Sequence, residues 1–101
     1  MTEVVIAKNV LPQNVSGTIT LGGTAQAMAA INLSRGGLWV QNVSTGDIWI
    51  SEIGTAVIGQ PSIKIAAGNM YENPMTGCPG SAISIIGATT GQAFSAREWT
   101  I

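Results

Sequence analysis

The side chains that could carry chemistry in this sequence are few and lie far apart along the chain. There is no histidine, so the residue that most often acts as a general base and as a metal ligand is missing. The carboxylates occur singly, at Glu3, Asp47, Glu52, Glu72 and Glu98. Their spacing marks no two of them as the acid and base of a glycosidase. Asp47 lies in a turn-forming cluster, and we interpret it as a turn residue.

The remaining reactive groups form no catalytic arrangement either. Cys78 is the single cysteine, so the chain can form no internal disulfide, and no base accompanies it for nucleophilic catalysis. We interpret it as a small apolar side chain. The glycine-rich segment 21–24 lacks the lysine and the following helix of a phosphate-binding loop. The sequence therefore predicts a protein that is not an enzyme and that binds no cofactor or metal.

The large aromatic side chains leave two alternatives, and they are Trp39, Trp49, Tyr71 and Trp99. One or two large rings normally fill the core of a small domain, and we favour this interpretation. In the alternative, tryptophans present a flat surface on which sugar rings stack. Trp39 and Trp49 are the glycan-stacking candidates of that alternative.

Composition constrains the surroundings of the protein more than its chemistry. The 101 residues fit one domain, and only 9% are charged, against about 25% in a typical soluble domain. A formal net charge of −1 gives little repulsion between copies, so we expect a homo-oligomer whose surface is largely covered by other subunits. The alternative is a monomer coated in Ser, Thr, Asn and Gln.

The same composition argues against several partners and compartments. The four basic residues are too few to neutralise many phosphates, so no nucleic-acid binding is expected. No apolar run approaches the ~18 residues of a membrane-spanning helix, and no membrane partner is expected. We predict no signal peptide, since no apolar stretch follows a charged start, and the lone cysteine fits synthesis in a reducing cytoplasm.

The elements that must position these residues are short β-strands. Residues 38–43 and 48–53 are rich in β-branched and aromatic side chains, and the turn-forming cluster 44–47 lies between them. We interpret this stretch as a β-hairpin that carries Trp39 and Trp49. The length of its turn decides which tryptophan is buried, and the sequence does not fix that length.

Further strand-like runs follow at intervals of about ten residues, at positions 16–21, 63–67, 70–72, 82–86 and 92–101. Residues 24–33 fit a short helix or a strand, and we favour the strand. In the last run, Phe94 and Trp99 have opposite parity, which requires either two covered faces or a bulge. The pattern predicts an all-β fold, a single antiparallel β-sandwich or jelly roll of six to eight short strands spanning residues 16–101.

Residues 1–15 are predicted to be an extended N-terminal arm or an edge strand. The run at Val4, Val5 and Ile6 is apolar, and Pro12 cannot donate to a ladder. As an arm, this segment would add as a strand to a neighbouring subunit. Arg35, which precedes two glycines, is either a loop charge or an anchor for backbone carbonyls of a neighbour. These four residues (positions 4, 5, 6 and 35) are the partner-contact candidates.

An ordered series of motifs runs through the chain after residue 16. It comprises the segment LGGTAQ at 21–26, the spacings N-x-x-R-x-x-L at 32–38 and QN-x-S at 41–44, IWI at 48–50, G-x-A at 54–56, Gly68, YE at 71–72 and a closing glycine-rich hairpin. With this series the chain resembles small virion proteins of tailed bacteriophages. The resemblance implies a compact β-sandwich displayed on a phage particle, as a capsid decoration (cement) protein or as part of a head or tail fibre.

The expected function is therefore structural. We expect a homotrimer on the outer capsid surface that bridges neighbouring capsid subunits, with the major capsid protein or other virion proteins as partners. The alternative is a receptor- or glycan-binding module of a fibre, with a host glycan bound by an exposed Trp39 or Trp49. No catalytic or ligand-binding residue is carried over from the resemblance.

Overall fold

The computed structural model describes residues 11–73 and 77–101, and every regular element in these ranges is a β-strand. The strands are β1 (Pro12–Asn14), β2 (Gly17–Thr18), β3 (Gln26–Ala29), β4 (Arg35–Asn42), β5 (Ile48–Ser51), β6 (Ile63–Ile65), β7 (Met70–Glu72), β8 (Ile83–Gly87) and β9 (Ala93–Thr100). The segment 24–33 contains a strand, as favoured above. The number of described strands is nine rather than six to eight, because the short β1 adds to the predicted set.

Two antiparallel sheets form a β-sandwich, which confirms the predicted fold class. Sheet I has the order β1-β9-β4-β7, with β2 also paired to β9. Sheet II has the order β3-β8-β5-β6. Residues 12–14 thus form an edge strand of sheet I, with Pro12 opposite Trp99. Val4, Val5 and Ile6 lie outside the described residues, so their assignment stays a prediction.

The core lies between the sheets and consists mainly of aliphatic side chains. Alternate residues of each strand point inward, so Leu38 and Val40 of β4 face Ile48 and Ile50 of β5 across the sandwich, and all four are buried. Further buried members of the same cluster are Ile19, Ala29, Ile65, Ile83, Ile85, Phe94 and Ala96. The tryptophans are not among them.

The predicted hairpin at residues 38–53 is wrong. β4 pairs with β7 and β9 in sheet I, whereas β5 pairs with β6 and β8 in sheet II. Residues 44–47 therefore carry the chain from one sheet to the other. The buried side chain of Asn42 holds this crossing, because its amide donates to the carbonyls of Gly46 (2.7 Å) and Ile65 (2.8 Å) and its oxygen accepts from the Ser44 amide (2.9 Å).

Most connections between consecutive strands cross from one sheet to the other. Among the described strands, β5 and β6 are the consecutive pair that is hydrogen-bonded, while β2–β3, β3–β4, β4–β5, β6–β7, β7–β8 and β8–β9 each change sheet. The turn residues thus mark where strands end, but they do not say which strands pair. This jelly-roll-like path leaves each sheet with one face on the core and one outer face.

Candidate functional site

Arg35 is at the centre of a buried network at one end of the sandwich. Its side chain is fully buried, and Nε donates to Glu98 Oε2 at 2.8 Å. Nη1 donates to the carbonyls of Pro79 (2.7 Å) and Ser81 (2.8 Å). Nη2 donates to the carbonyl of Ala30 at 2.8 Å. The guanidinium therefore joins β9 of sheet I to the chain segments that lead out of β3 and into β8.

This network assigns Arg35 an intramolecular role. Its donors bind the Glu98 carboxylate and carbonyls of its own chain, whereas its assignment as a partner contact stays a prediction. Removing one member of a buried, hydrogen-bonded ion pair typically costs about 3–5 kcal/mol, because the remaining charge stays buried without compensation. The sequence indicated an anchor for carbonyls, but the partner Glu98 lies 63 positions further along the chain and had no local signal.

A second polar group lies near the same end and contains Tyr71, Glu52 and Asn73. The Tyr71 hydroxyl donates to Glu52 Oε2 at 3.1 Å and contacts the side-chain oxygen of Asn73. Burial, reinforced by the neighbouring Glu52 charge, raises the pKa of Tyr71 to about 12. The phenol thus keeps its proton at neutral pH and acts as a hydrogen-bond donor rather than as a base.

Metal and membrane sites find no support in the part of the chain that the structure describes. No group of three or more Cys, Asp or Glu side chains in residues 11–73 and 77–101 is arranged to hold a metal ion. The same ranges contain no helix long and apolar enough to cross a membrane. Cys78 is partly exposed and lies 3.8 Å from the Asn73 amide nitrogen.

An exposed set of large aliphatic side chains surrounds the Arg35 network, and we call it the apolar end surface. Its members are Leu11, Ile31, Leu33, Ile53 and Ile101. The Ile101 amide donates to the Ser34 carbonyl (2.7 Å), and the Asn32 amide donates to the Gly80 carbonyl (2.8 Å), which places these segments together. Leu33 is 86% exposed and Leu11 is 81% exposed. Contiguous exposed apolar surface of this kind is a typical site of protein–protein contact.

The outer face of sheet I carries two of the three tryptophans. Trp39 lies between the fully buried Leu38 and Val40, so the strand alternation directs its side chain outward. The Arg97 guanidinium lies 5.8 Å from the centroid of the Trp39 ring, a cation–π contact. The core interpretation of the tryptophans is therefore wrong for Trp39, and both it and Trp99 are half-buried.

Trp99 reaches this outer face because a glycine lies beneath it. Gly37 is the cross-strand partner of Trp99, and a Cβ added at Gly37 would lie 2.0 Å from Trp99 Cζ2. The indole therefore occupies the space that a side chain at position 37 would fill. The opposite parity of Phe94 and Trp99 is explained in the same way, since Phe94 faces the core and Trp99 faces outward.

Trp49 lies on the outer face of the other sheet. It sits between the buried Ile48 and Ile50 and is half-buried, with Lys64 and Ile86 as its cross-strand neighbours. The two glycan-stacking candidates, Trp39 and Trp49, therefore lie on opposite sides of the molecule. The structure instead brings Trp99 next to Trp39, a pairing that the sequence did not indicate.

A groove with a volume of about 600 Å³ lies on the sheet II side. It runs between β3 and residues 52–55, and its walls include the small or aliphatic side chains of Ala25, Ala27, Ile53 and Ala82. Glu52, the titratable residue in its lining, already accepts the hydrogen bond from Tyr71. The groove thus offers an apolar surface and no arrangement for acid–base chemistry.

No protein-family model and no curated protein matches this chain. It is similar to a solved structure of Bacillus endospore appendages, described as a novel family of disulfide-linked pili. The sequence identity is 18%, the TM-score is 0.46, and the similarity covers 98% of this chain and 95% of that chain. A similarity of this size carries no statement about function.

Proposed function

We propose that this chain is a structural subunit of a phage virion, a decoration protein that cements the outer capsid surface by bridging neighbouring subunits. The observation that carries the proposal is the apolar end surface, where large aliphatic side chains stand exposed around a buried arginine network. The low charge of the chain supports it, because few ionic groups oppose the contact of one copy with another. The motif series described above supplies the link to virions.

The proposed mechanism is hydrophobic docking followed by multivalent attachment. Copies associate as a homotrimer, and the assembly binds the major capsid protein or another virion protein. Burial of about 1,600 Å² per interface is enough for stable association. Repetition over a symmetric shell adds avidity to each weak contact. The proposal includes no catalytic step, in keeping with the structural roles of Arg35, Glu98 and Tyr71.

The N-terminal segment is proposed to contribute to the attachment. Ten residues precede Leu11, which belongs to the apolar end surface, and they include the apolar run Val4, Val5 and Ile6. An extended segment of this length reaches at most about 33–36 Å, which is enough to contact a neighbouring subunit. We propose that it pairs with that neighbour as an added strand.

The end surface is tested by a matched pair of double variants. Leu33→Ser with Ile101→Ser removes two of its aliphatic side chains, whereas Leu21→Ser with Val43→Ser removes two exposed ones at the opposite end. We expect the first variant to sediment as a monomer and the second to keep the oligomeric state of the original chain. Equal sedimentation of the two variants, or a monomeric original chain with no affinity for capsid shells, contradicts the proposal.

The N-terminal segment is tested separately on particles. Deletion of residues 2–10 leaves β1 in sheet I, so we expect an unchanged unfolding transition and a reduced occupancy on shells that lack the protein. Electron microscopy of the decorated particles measures that occupancy and the position of the subunit. Full occupancy after the deletion would remove the N-terminal segment from the mechanism while leaving the role of the end surface intact.

A further inference from the structure

The outer face of sheet I differs in chemistry from the apolar end surface. We call it the tryptophan face, and its members are Trp39, Gln41, Glu72, Arg97 and Trp99. Arg97 and Glu72 flank Trp39 as its two cross-strand partners, so two opposite charges lie in one row with the indole between them. Both charged side chains are exposed, while the two indoles and Gln41 are half-buried.

We propose that the tryptophan face binds neutral oligosaccharides, with a pyranose ring stacked on the indole of Trp99, beside the Trp39 indole that the Arg97 guanidinium already covers. The axial C–H groups of a sugar ring carry partial positive charge and are attracted to the negative face of an aromatic ring. The ring hydroxyls need donors and acceptors in nearly the same plane. Arg97 donates and Glu72 accepts, and the half-buried Gln41 amide does both.

The charges on this face specify a neutral ligand. One cation and one anion flank Trp39 in a single row, so the face has no net charge to attract an anionic or a cationic polymer. The several hydroxyl groups of a neutral sugar match both charges, because a hydroxyl accepts from a guanidinium and donates to a carboxylate. An acidic sugar would be attracted by the Arg97 guanidinium but repelled by the Glu72 carboxylate.

The glycine beneath Trp99 supports the same assignment. Because Gly37 has no side chain, the indole of Trp99 lies directly over the strand backbone, in the space of the missing Cβ. A ring that packs on the strand backbone before a ligand arrives loses less entropy on binding than a freely rotating one.

The experiment measures binding of the full chain to an array of neutral, amino and uronic-acid oligosaccharides, followed by solution titration with the best neutral binder. We expect Trp99→Leu and Arg97→Ala each to weaken binding about tenfold, the loss of one stacking or charge-assisted contact. Lys64→Ala is the matched control, since Lys64 is the exposed cross-strand partner of Trp49 as Arg97 is of Trp39. Its affinity is expected to be unchanged.

Tryptophan fluorescence locates the sugar independently. The Trp49→Phe variant keeps both indoles of the tryptophan face, so its emission should shift when the oligosaccharide is added. The double variant Trp39→Phe with Trp99→Phe keeps Trp49 alone, and its emission should not respond. The proposal is overturned if no neutral oligosaccharide binds, if binding is confined to acidic sugars, or if Lys64→Ala weakens it as much as Arg97→Ala. Capture of a protein through Trp39 and Trp99 instead of a sugar overturns it as well.

Discussion

The outer faces of the two sheets each place a tryptophan between two buried aliphatic neighbours, yet the chain treats the faces differently. On sheet I, the neighbours of Trp39 along its row are the exposed Arg97 and Glu72. On sheet II, Ile86 lies beside Trp49 and is only 6% exposed although it points outward. One face therefore presents its side chains to solvent, and the other is covered by the protein itself.

The cover of sheet II is the segment 52–62, which connects β5 to β6. Ala56 of this segment is buried, and its amide donates to the Ser84 hydroxyl on the outer face at 2.9 Å. The Val57 amide donates to the Ser62 hydroxyl at 2.9 Å, which closes the segment on itself. The difference shows that a connection elsewhere in the chain decides whether outward side chains such as Ile86 are covered.

The largest expected effect tests whether the covered face behaves as a second core. Ile86→Ala should lower the free energy of unfolding by about 2–5 kcal/mol, as for an interior isoleucine, because a cavity remains beneath the cover. Gln41→Ala, at a half-buried outward position of sheet I, should change it by less than about 0.5 kcal/mol. Urea denaturation measures both, and similar values for the two variants would remove the distinction between the faces.

A smaller effect is expected where Trp99 lies over Gly37. Gly37→Ala puts a methyl group 2.0 Å from Trp99 Cζ2 and should displace the indole, at a cost of about 1–3 kcal/mol. The displaced ring should also red-shift the tryptophan emission. In a Trp99→Leu background the same substitution should cost much less, and a double-mutant cycle measures that coupling. If the two substitutions change the free energy of unfolding additively, the position of the Trp99 ring does not depend on the missing side chain at Gly37.

The smallest effect concerns the hydrogen bond that ties the cover to sheet I. Tyr71 of β7 donates to Glu52, the first residue of the segment 52–62, and its pKa is raised to about 12 from the ordinary 10. As the pH rises from 10 to 12, the unfolded chain loses the phenolic proton while the folded chain keeps it. The folded state therefore becomes less stable across that interval.

Tyr71→Phe should remove this alkaline loss of stability and leave the other titrations unchanged. The comparison is direct because the chain has a single tyrosine, whose ionisation can be followed by ultraviolet absorbance. Below pH 10, the denaturation midpoints of the original chain and the variant should differ by a constant amount. Between pH 10 and 12 the midpoint of the original chain should fall relative to that of the variant, and above pH 12 the two curves should run parallel again. A Tyr71 that titrates near its ordinary pKa would contradict both the burial of the phenol and its contact with Glu52.

Most of the strands were predictable, since each depends on local sequence. Alternation at 63–67 and the apolar run at 82–86 correspond to β6 and β8, and glycine-rich clusters mark the ends of strands. Their pairing was not predictable. The turn cluster at 44–47 has the composition of a hairpin, but the buried amide of Asn42 donates to the carbonyl of Gly46 in this cluster and to that of Ile65 in β6, and β5 joins the other sheet.

The candidate residues show the same division. Arg35, Trp39 and Trp49 were candidates because of their residue types, but residue type does not predict which groups surround a side chain. Arg35 proved to be buried because Glu98 and three carbonyls from distant segments converge on it. Trp99 had no signal of its own, since its exposure depends on the absence of a side chain at Gly37 on another strand.

The sequence by itself determined an all-β chain that is poor in charge, because composition and period-two alternation are local properties. Only the tertiary structure decided which strands share a sheet, which outer face is covered and where the aliphatic side chains are exposed. The physical reason is that these outcomes depend on contacts between residues far apart in the chain, such as Asn42 with Ile65 and Arg35 with Glu98.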